Sequence, residues 1–314
     1  MIIPSKRNIE LAYQTVKRYA HCTPVLTSQS INSILGCELF FKCENFQKVG
    51  AFKFRGASNA VFSLSNAQAL KGVCTHSSGN HAAALALAAA IRGIPSYIVM
   101  PSNAPSIKRK AVEGYGAKIF TCKPTQEARE KELERVKIET GATFIHPYEN
   151  FEVICGQGTA SLELLDEVKD LQTLITPVGG GGLFSGTLIY TKETNPHIEV
   201  YAGEPQNADD AFRSLRDGTL YPSINPNTIA DGLRTSLCPL TLSIIQKYAD
   251  GILPVSEELI VKAMRLVWER MKIIIEPSSA VPVAAVMLNP EKFNGKRVGI
   301  IISGGNVDVE NLPF

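Results

Sequence analysis

The chain has almost no net charge, no long apolar run and no paired cysteine motif, and each absence removes a class of function. Lys and Arg number 32 against 30 Asp and Glu, a formal charge of +2. Neither a nucleic-acid backbone nor an anionic membrane surface is called for by that balance. No stretch approaches the ~18 uninterrupted apolar residues of a membrane span, and Met1 to Arg7 carries no signal-peptide core. Cys22, Cys37, Cys43, Cys74, Cys122, Cys155 and Cys238 are odd in number and nowhere spaced CxxC. That argues against a disulfide framework or a zinc site and for reduced thiols used as small core residues. Internal repeats, linker-like tracts and low-complexity segments are missing too. A cytoplasmic globular protein is expected, and 314 residues suffice for two domains or one large α/β unit.

What is present is an alternation of strand-like runs and amphipathic helices. Apolar residues recur at helical spacing over 9–19, a short helix is expected at 30–35, a strand at 38–44 and a helical run at 57–64. A strand at 72–76 leads into an alanine-rich helix at 82–91, alanine being the best helix former. Strands at 97–100, 117–120 and 143–145 are then separated by helices at 106–113 and 126–139. Residues 72–148 therefore read as a small parallel α/β domain inserted in a larger one made of 1–71 and 149–314. In the larger part, helices at 158–168 and 183–190 flank a strand at 174–178, and further strands are expected at 198–202 and 298–302. Ser256 caps a long amphipathic helix. The expected fold is α/β, with two doubly wound parallel-sheet domains and a site where strand C-termini open between them.

Five stretches carry chemistry. Gly50-Ala51-Phe52-Lys53-Phe54-Arg55-Gly56 sets a lysine between two phenylalanines. An amine is protonated up to a pKa of roughly 10.4 and apolar surroundings lower that value, so Lys53 is a candidate imine-forming lysine. The plainer alternative is a stem laid on the rings with its head in water. Gly179, Gly180, Gly181 and Gly182 follow a strand and open a helix at Leu183, so backbone N–H groups converge at a positive helix end and make a phosphate cradle. No Lys-Ser or Lys-Thr follows, which excludes a Walker loop. A dinucleotide fold competes, since Gly180, Gly182 and Gly186 give a loose G-x-G-x-x-x-G and Glu204 ends the next strand. Ser77-Ser78-Gly79-Asn80-His81, at another strand-to-helix junction, offers hydroxyls, an amide and N–H groups to a carboxylate, more than one helix cap needs. Ser303-Gly304-Gly305-Asn306 is a further such turn, whose hydroxyl suits a ring nitrogen. Glu204 and Asp210, with the Ala208 carbonyl between them, are hard oxygen donors for Mg²⁺ or Ca²⁺, or simply a solvated acidic loop.

Together these stretches resemble the fold-type II pyridoxal-phosphate enzymes, tryptophan synthase β-like in architecture, and within them the serine racemase and serine/threonine dehydratase family. The markers run in family order over nearly the whole chain: Phe52-Lys53-Phe54-Arg55-Gly56, Ser77 to His81, Gly179 to Gly182, Ala230-Asp231-Gly232, Glu276-Pro277, and Ser303 to Asp308. The resemblance implies that Lys53 holds the cofactor covalently, that Gly179, Gly180, Gly181, Gly182 and Leu183 bind its phosphate, that Asn80 meets the ring hydroxyl and that Ser303 meets the ring nitrogen. Phe52, Gly232 and Glu276 would line it. Ser77, Ser78, Asn80, His81, Arg129 and Thr235 would face the substrate, and Glu204, Ala208 and Asp210 would hold Mg²⁺, Mn²⁺ or Ca²⁺. A homodimer is implied as well. Animal serine racemases bind ATP between subunits; Ser28 and Lys48 match that site while Gln29 and Ala83 depart from it, so ATP activation carries over only in part. Phe314 follows soon after the Ser303 turn, leaving no regulatory domain of the threonine-dehydratase kind, and feedback inhibition by isoleucine is not expected.

The implied chemistry removes the substrate α-proton with the Lys53 amine as general base. Loss of a β-hydroxyl then leads to a keto acid and ammonia, whereas return of a proton to the opposite face leads to the D-amino acid. Ser78 is the expected acid for that return, because many plain dehydratases carry alanine at the matching position. Arg129, if it reaches the pocket, would accept a second carboxylate such as that of hydroxyaspartate. The leading expectation is a serine racemase with β-elimination. The alternatives are a dehydratase of threonine or threo-3-hydroxyaspartate, a nicotinamide-dependent oxidoreductase built on Gly180, Gly182, Gly186 and Glu204, and a non-catalytic binding module.

Overall fold

The structure, a computed structural model, describes residues 2–104 and 106–314. The chain runs α1 (Lys6–Val16), β1 (Val25–Leu26), α2 (Gln29–Leu35), β2 (Glu38–Cys43), α3 (Lys53–Phe62), α4 (Asn66–Lys71), β3 (Val73–His76) and α5 (Asn80–Arg92). It continues with β4 (Ser96–Pro101), α6 (Ser106–Gly114), β5 (Lys118–Cys122), α7 (Gln126–Thr140), β6 (Thr143–Phe144), α8 (Phe151–Glu167), β7 (Thr173–Pro177) and α9 (Gly182–Thr194). Then follow β8 (Glu199–Pro205), α10 (Asp210–Asp217), α11 (Pro239–Tyr248), β9 (Gly251–Val255), α12 (Glu257–Met271), α13 (Pro277–Leu288), α14 (Pro290–Phe293) and β10 (Arg297–Ile302).

Two sheets result. One has six strands in the order β1-β2-β10-β7-β8-β9, the other four in the order β5-β4-β3-β6. All pairs are parallel except β1 with β2, so the larger sheet departs from the all-parallel expectation at one edge. The strands β7 and β10 are buried nearly throughout, as sheets covered by helices on both faces require. Because β2, β10 and β7 are neighbours, the segments that leave their C-terminal ends lie side by side. Those segments carry Lys53, Ser303 and the glycine run. The connection from β7 goes to β8 on one side while β10 lies on the other, the switch point at which open α/β sheets bind ligands.

Glycine explains the main differences from the expected elements. The helix holding the lysine begins at Lys53 itself and runs through Gly56, and α8 begins at Phe151, capped by the Asn150 side chain accepting from the Val153 N–H. Gly56, Gly156 and Gly158 serve helix contact. A Cβ on Gly156 would stand 2.6 Å from the Arg55 carbonyl oxygen, and one on Gly158 would stand 2.8 Å from that of Gly186. Helices α3, α8 and α9 therefore pack backbone to backbone. On the other side of α3, Phe54, Ala57, Ala60 and Val61 join one apolar cluster with Val73, Ala82, Leu85 and Ile98 of the smaller sheet's layer. The helix that carries Lys53 is thus shared between the two sheets. Helix α13 has no polar stripe and contains Pro282; it is buried on nearly every side, which hides it from any reading by periodicity.

Candidate active site

Lys53 opens α3, and the strand-like residues before it are stitched to the turn after β10. The Phe52 N–H donates to the Ser303 carbonyl at 2.9 Å, Ala51 bridges Gly304, and the Gly305 N–H donates to the Gly50 carbonyl at 2.9 Å. The lysine head lies 5.1 Å from the centre of the Phe52 ring and donates to the Pro147 carbonyl at 3.1 Å. Burial disfavours the ammonium and pulls its pKa down to about 8, against the opposing carboxylate of Glu276.

Beside it stands a plate of polar groups. The Ser303 and Ser279 hydroxyls are 2.9 Å apart, and Ser279 also exchanges hydrogen bonds with the Gly304 backbone. Both Glu276 oxygens accept from the Asn80 amide at 3.1 Å, and one accepts from the Asn306 N–H at 3.2 Å. The Asn306 amide donates in turn to Asn80 Oδ1 at 2.9 Å. Burial, with Asp231 adding to it, pushes Glu276 up to about 7. Gly232 joins the plate through its N–H, which donates to Ser278 Oγ at 3.2 Å. Asn80 comes from the helix after β3, so this network ties the smaller sheet to the larger one.

The glycine loop closes the third side. Gly181 has φ +85°, a left-handed conformation that favours glycine. A Cβ on Gly180 would sit 2.2 Å from the Tyr148 ring, and one on Gly179 would crowd Thr235 Oγ1 at 3.2 Å. Leu183 is buried behind the loop in the first turn of α9. Backbone N–H groups converging at the start of a 13-residue helix, with the Cβ space filled by neighbours, form a cradle that fits a phosphate.

Ser77, Ser78 and Gly79 connect β3 to α5, with the Gly79 N–H on Ser77 Oγ at 3.3 Å and Ser78 half-buried. His81 is buried and its Nε2 donates to the Ile145 carbonyl at 3.0 Å; burial, then the charge of Lys53, pull its pKa down to about 3. Arg129 lies on α7, and the pKa of His76 is lowered by burial and then by the charge of that guanidinium; Arg129 Nε is buried with no partner among the described residues.

Glu204, next to last in β8, accepts from the Ala211 and Phe212 N–H groups at 2.9 and 2.8 Å. It is buried, and burial with the neighbouring Asp210 holds it well above the usual carboxylate range. Burial raises Asp210 to about 6 and leaves its Oδ2 with no partner among the described residues. Two such carboxylates, with the Ala208 carbonyl between them in sequence, are hard oxygen donors that fit a divalent cation. Among the described residues no cluster of three or more His, Cys, Asp or Glu side chains suits a metal.

The family model described as "Pyridoxal-phosphate dependent enzyme" matches residues 16–304. The chain belongs to this family. Serine racemase of Dictyostelium discoideum is 52% identical over 98% of the chain and 96% of its own length. A beta-hydroxyaspartate dehydratase of Paracoccus denitrificans is 47% identical over the whole of both chains. The solved structure of maize serine racemase superposes with a TM-score of 0.96 at 45% identity, covering 98% of this chain and 95% of that one.

Membership of the pyridoxal-phosphate enzymes settles the competing reading of the glycine run. Gly186 is spent on helix packing, since its Cβ would lie 2.6 Å from Ile154 O of α8, and the Glu204 oxygens are engaged by backbone N–H groups rather than turned toward a ribose. A cavity of about 660 Å³ opens on the far side of Gly79 and Asn80, lined by Lys108, Tyr115 and Asp231 among others. Of the four residues compared with a nucleotide site, Ala83 lines it while Ser28, Gln29 and Lys48 do not. Sequence reasoning missed Pro147, Tyr148 and Ser279. The first two follow a strand of the smaller sheet, and the rule that ligands sit beyond strand C-termini would have pointed to them.

Proposed function

We propose that this pyridoxal-phosphate enzyme racemises serine and, on the same site, eliminates its β-hydroxyl to give pyruvate and ammonia. The observation that carries the reading is the convergence of Lys53, with its depressed pKa, on the glycine cradle and the Ser303 turn. In this reading Gly179, Gly180, Gly181, Gly182 and Leu183 hold the cofactor phosphate, Asn80 its ring hydroxyl and Ser303 its ring nitrogen. Phe52, Gly232 and Glu276 line it. When bound, the cofactor accepts the electrons left as the substrate α-C–H ionises. Lys53 Nζ would take that proton, and its lowered pKa makes the neutral amine more available as a base. Ser78 Oγ returns a proton from the opposite face to give the D-amino acid. If the β-hydroxyl leaves as water instead, hydrolysis of the resulting enamine acid yields pyruvate and ammonia. Ser77, His81 and Thr235 complete the substrate side.

Residues 72–148 act as a small domain that closes over the substrate, and 1–71 with 149–314 as the large one; the separate four-stranded sheet β5-β4-β3-β6 supports this division. Glu204, the Ala208 carbonyl and Asp210 hold Mg²⁺ or a similar ion. The enzyme works as a homodimer in the cytoplasm, a compartment its seven free cysteines suit. A second reading, dehydration of 3-hydroxyaspartate, is favoured by the unpartnered Arg129 Nε beside His76 and by the dehydratase relative. Incubation with L-serine, pyridoxal phosphate and Mg²⁺, with D-serine and pyruvate quantified together, tests the proposal. Both products are expected, and D-serine alone should vanish in Ser78→Ala. Pyruvate without D-serine would refute the racemase and favour the second reading.

A further inference from the structure

Behind the lysine, on the face of α3 turned away from the cofactor plate, four charged side chains form a closed box that the reaction does not use. Arg55 spreads its guanidinium between two carboxylates. Nε and NH2 reach Glu44 at 2.7 and 2.8 Å, and NH1 and NH2 reach Glu163 at 2.9 and 2.6 Å. Lys42 closes the box on Glu163 at 2.7 Å. Thr159 accepts from Arg55, Thr23 donates to Glu44, and the Thr23 carbonyl takes the remaining lysine bond. Arg55, Glu44 and Lys42 are fully buried and Glu163 is 5% exposed. The four residues come from α3, β2, the turn after β2 and α8.

A buried ion network of this kind adds little stability over apolar side chains of equal volume, so its retention calls for another reason. The box sits where α3 and α8 meet through glycine: a Cβ on Gly56 would stand 2.8 Å from the Val153 carbonyl oxygen. Apolar packing alone would let two such smooth helix surfaces slide, whereas a bidentate fork accepts one register. We propose that Lys42, Glu44, Arg55 and Glu163 are positioning residues for Lys53, fixing the first turn of α3 against β2 and α8 while their charges cancel to zero beside the reacting amine. With the box neutral, Lys53 responds to burial and Glu276 alone, whereas a net charge left behind it in the same buried core would act on it through a poorly screening medium. The groups that face Lys53 itself are Glu276 at the start of α13, His81 on α5 and His146 after β6. The box is the charge cluster behind it.

The test uses protein stripped of cofactor and follows the rate at which added pyridoxal phosphate is captured as pH is varied, read from the visible band of the lysine-bound form. The midpoint of that profile reports Lys53. Glu163→Gln leaves the box net positive and lowers the midpoint by roughly half a pH unit or more; Lys42→Met leaves it net negative and raises the midpoint by a similar amount. The double variant returns to zero charge and to the wild-type midpoint, and it decides the matter if a single variant does not fold. Arg55→Lys keeps the charge count but loses the fork, so its midpoint stays while turnover falls about tenfold or more. A purely structural role would move both single variants the same way, toward the ordinary lysine value as water enters. That outcome overturns the proposal, and so does a midpoint that no variant moves. The inference rests on Lys53 as the cofactor lysine, a reading that fails separately if the wild type shows no band removable by Lys53→Ala.

Discussion

Gly180→Ala tests the phosphate cradle most directly. The added methyl would lie 2.2 Å from Tyr148 Cδ1 where ordinary contact begins at 3.4 Å, a shortfall of 1.2 Å. Neither neighbour yields easily. The Tyr148 ring is held edge-on against His146, with centroids 4.5 Å apart, and the residue before it carries the carbonyl that accepts from Lys53. The loop on the other side is pinned by Gly181 in its left-handed conformation. Overpacking of this size costs about 1–3 kcal/mol. If the strain falls on the loop that binds phosphate, cofactor affinity drops roughly 5- to 150-fold, at 1.4 kcal/mol for each factor of ten. Titration of stripped protein with pyridoxal phosphate measures the loss, with thermal denaturation run alongside to separate binding from folding. Tyr148→Ala in the same chain removes the obstacle and should restore most of the affinity. Wild-type affinity in Gly180→Ala, or no recovery in the double variant, would refute the cradle as described.

Three other outcomes are expected. Capture of the cofactor by stripped protein should rise with pH through a midpoint near 8 and level off about one to two pH units higher, since only the neutral Lys53 amine reacts and burial pulls its pKa down to about 8; a midpoint near the ordinary lysine value of roughly 10.4 would place the amine in water. Chelation of divalent ions should lower the thermal midpoint and Mg²⁺ or Ca²⁺ should restore it, with Asp210→Asn insensitive to both treatments, because Glu204 and Asp210 are buried like charges that a cation relieves. Arg129→Ala should reduce the turnover of 3-hydroxyaspartate at least tenfold more than that of serine, measured as kcat/KM; equal losses would remove Arg129 from substrate recognition.

Much of this site is legible in the sequence because several of its parts sit at strand C-termini, where a short apolar run turns abruptly into glycine or serine. The Gly179–Gly182 run and Ser303 follow that rule, Lys53 is marked instead by the phenylalanines on either side of it, and the alternation of strand and helix around them conveys the α/β class. What escapes is whatever depends on a distant partner. Glu276 is picked out only by the family resemblance, and no local pattern shows that Asn80, 196 positions away, bonds to it. Gly56, Gly156 and Gly158 look like interruptions because the helices pressed against them are invisible to local patterning. Lys42, Glu44 and Glu163 read as ordinary polar positions, and only packing shows that Arg55 gathers them into the interior.

The place of β10 in the larger sheet has a consequence for how the site comes into being. That strand lies between β2 and β7, yet it follows both in the chain, and its Arg297 meets Glu38 across 259 positions. Until it inserts, the edges of β2 and β7 that it will cover have no partner in the sheet, and the segments that bear Lys53 and the glycine run are not yet neighbours. Contacts so distant in sequence form late and slowly. A ribosome-bound chain lacking residues 297–302 would therefore display both halves of a cofactor site and be unable to hold the cofactor between them. The central strand acts as the keystone, and competence to bind arrives in one step when it is set.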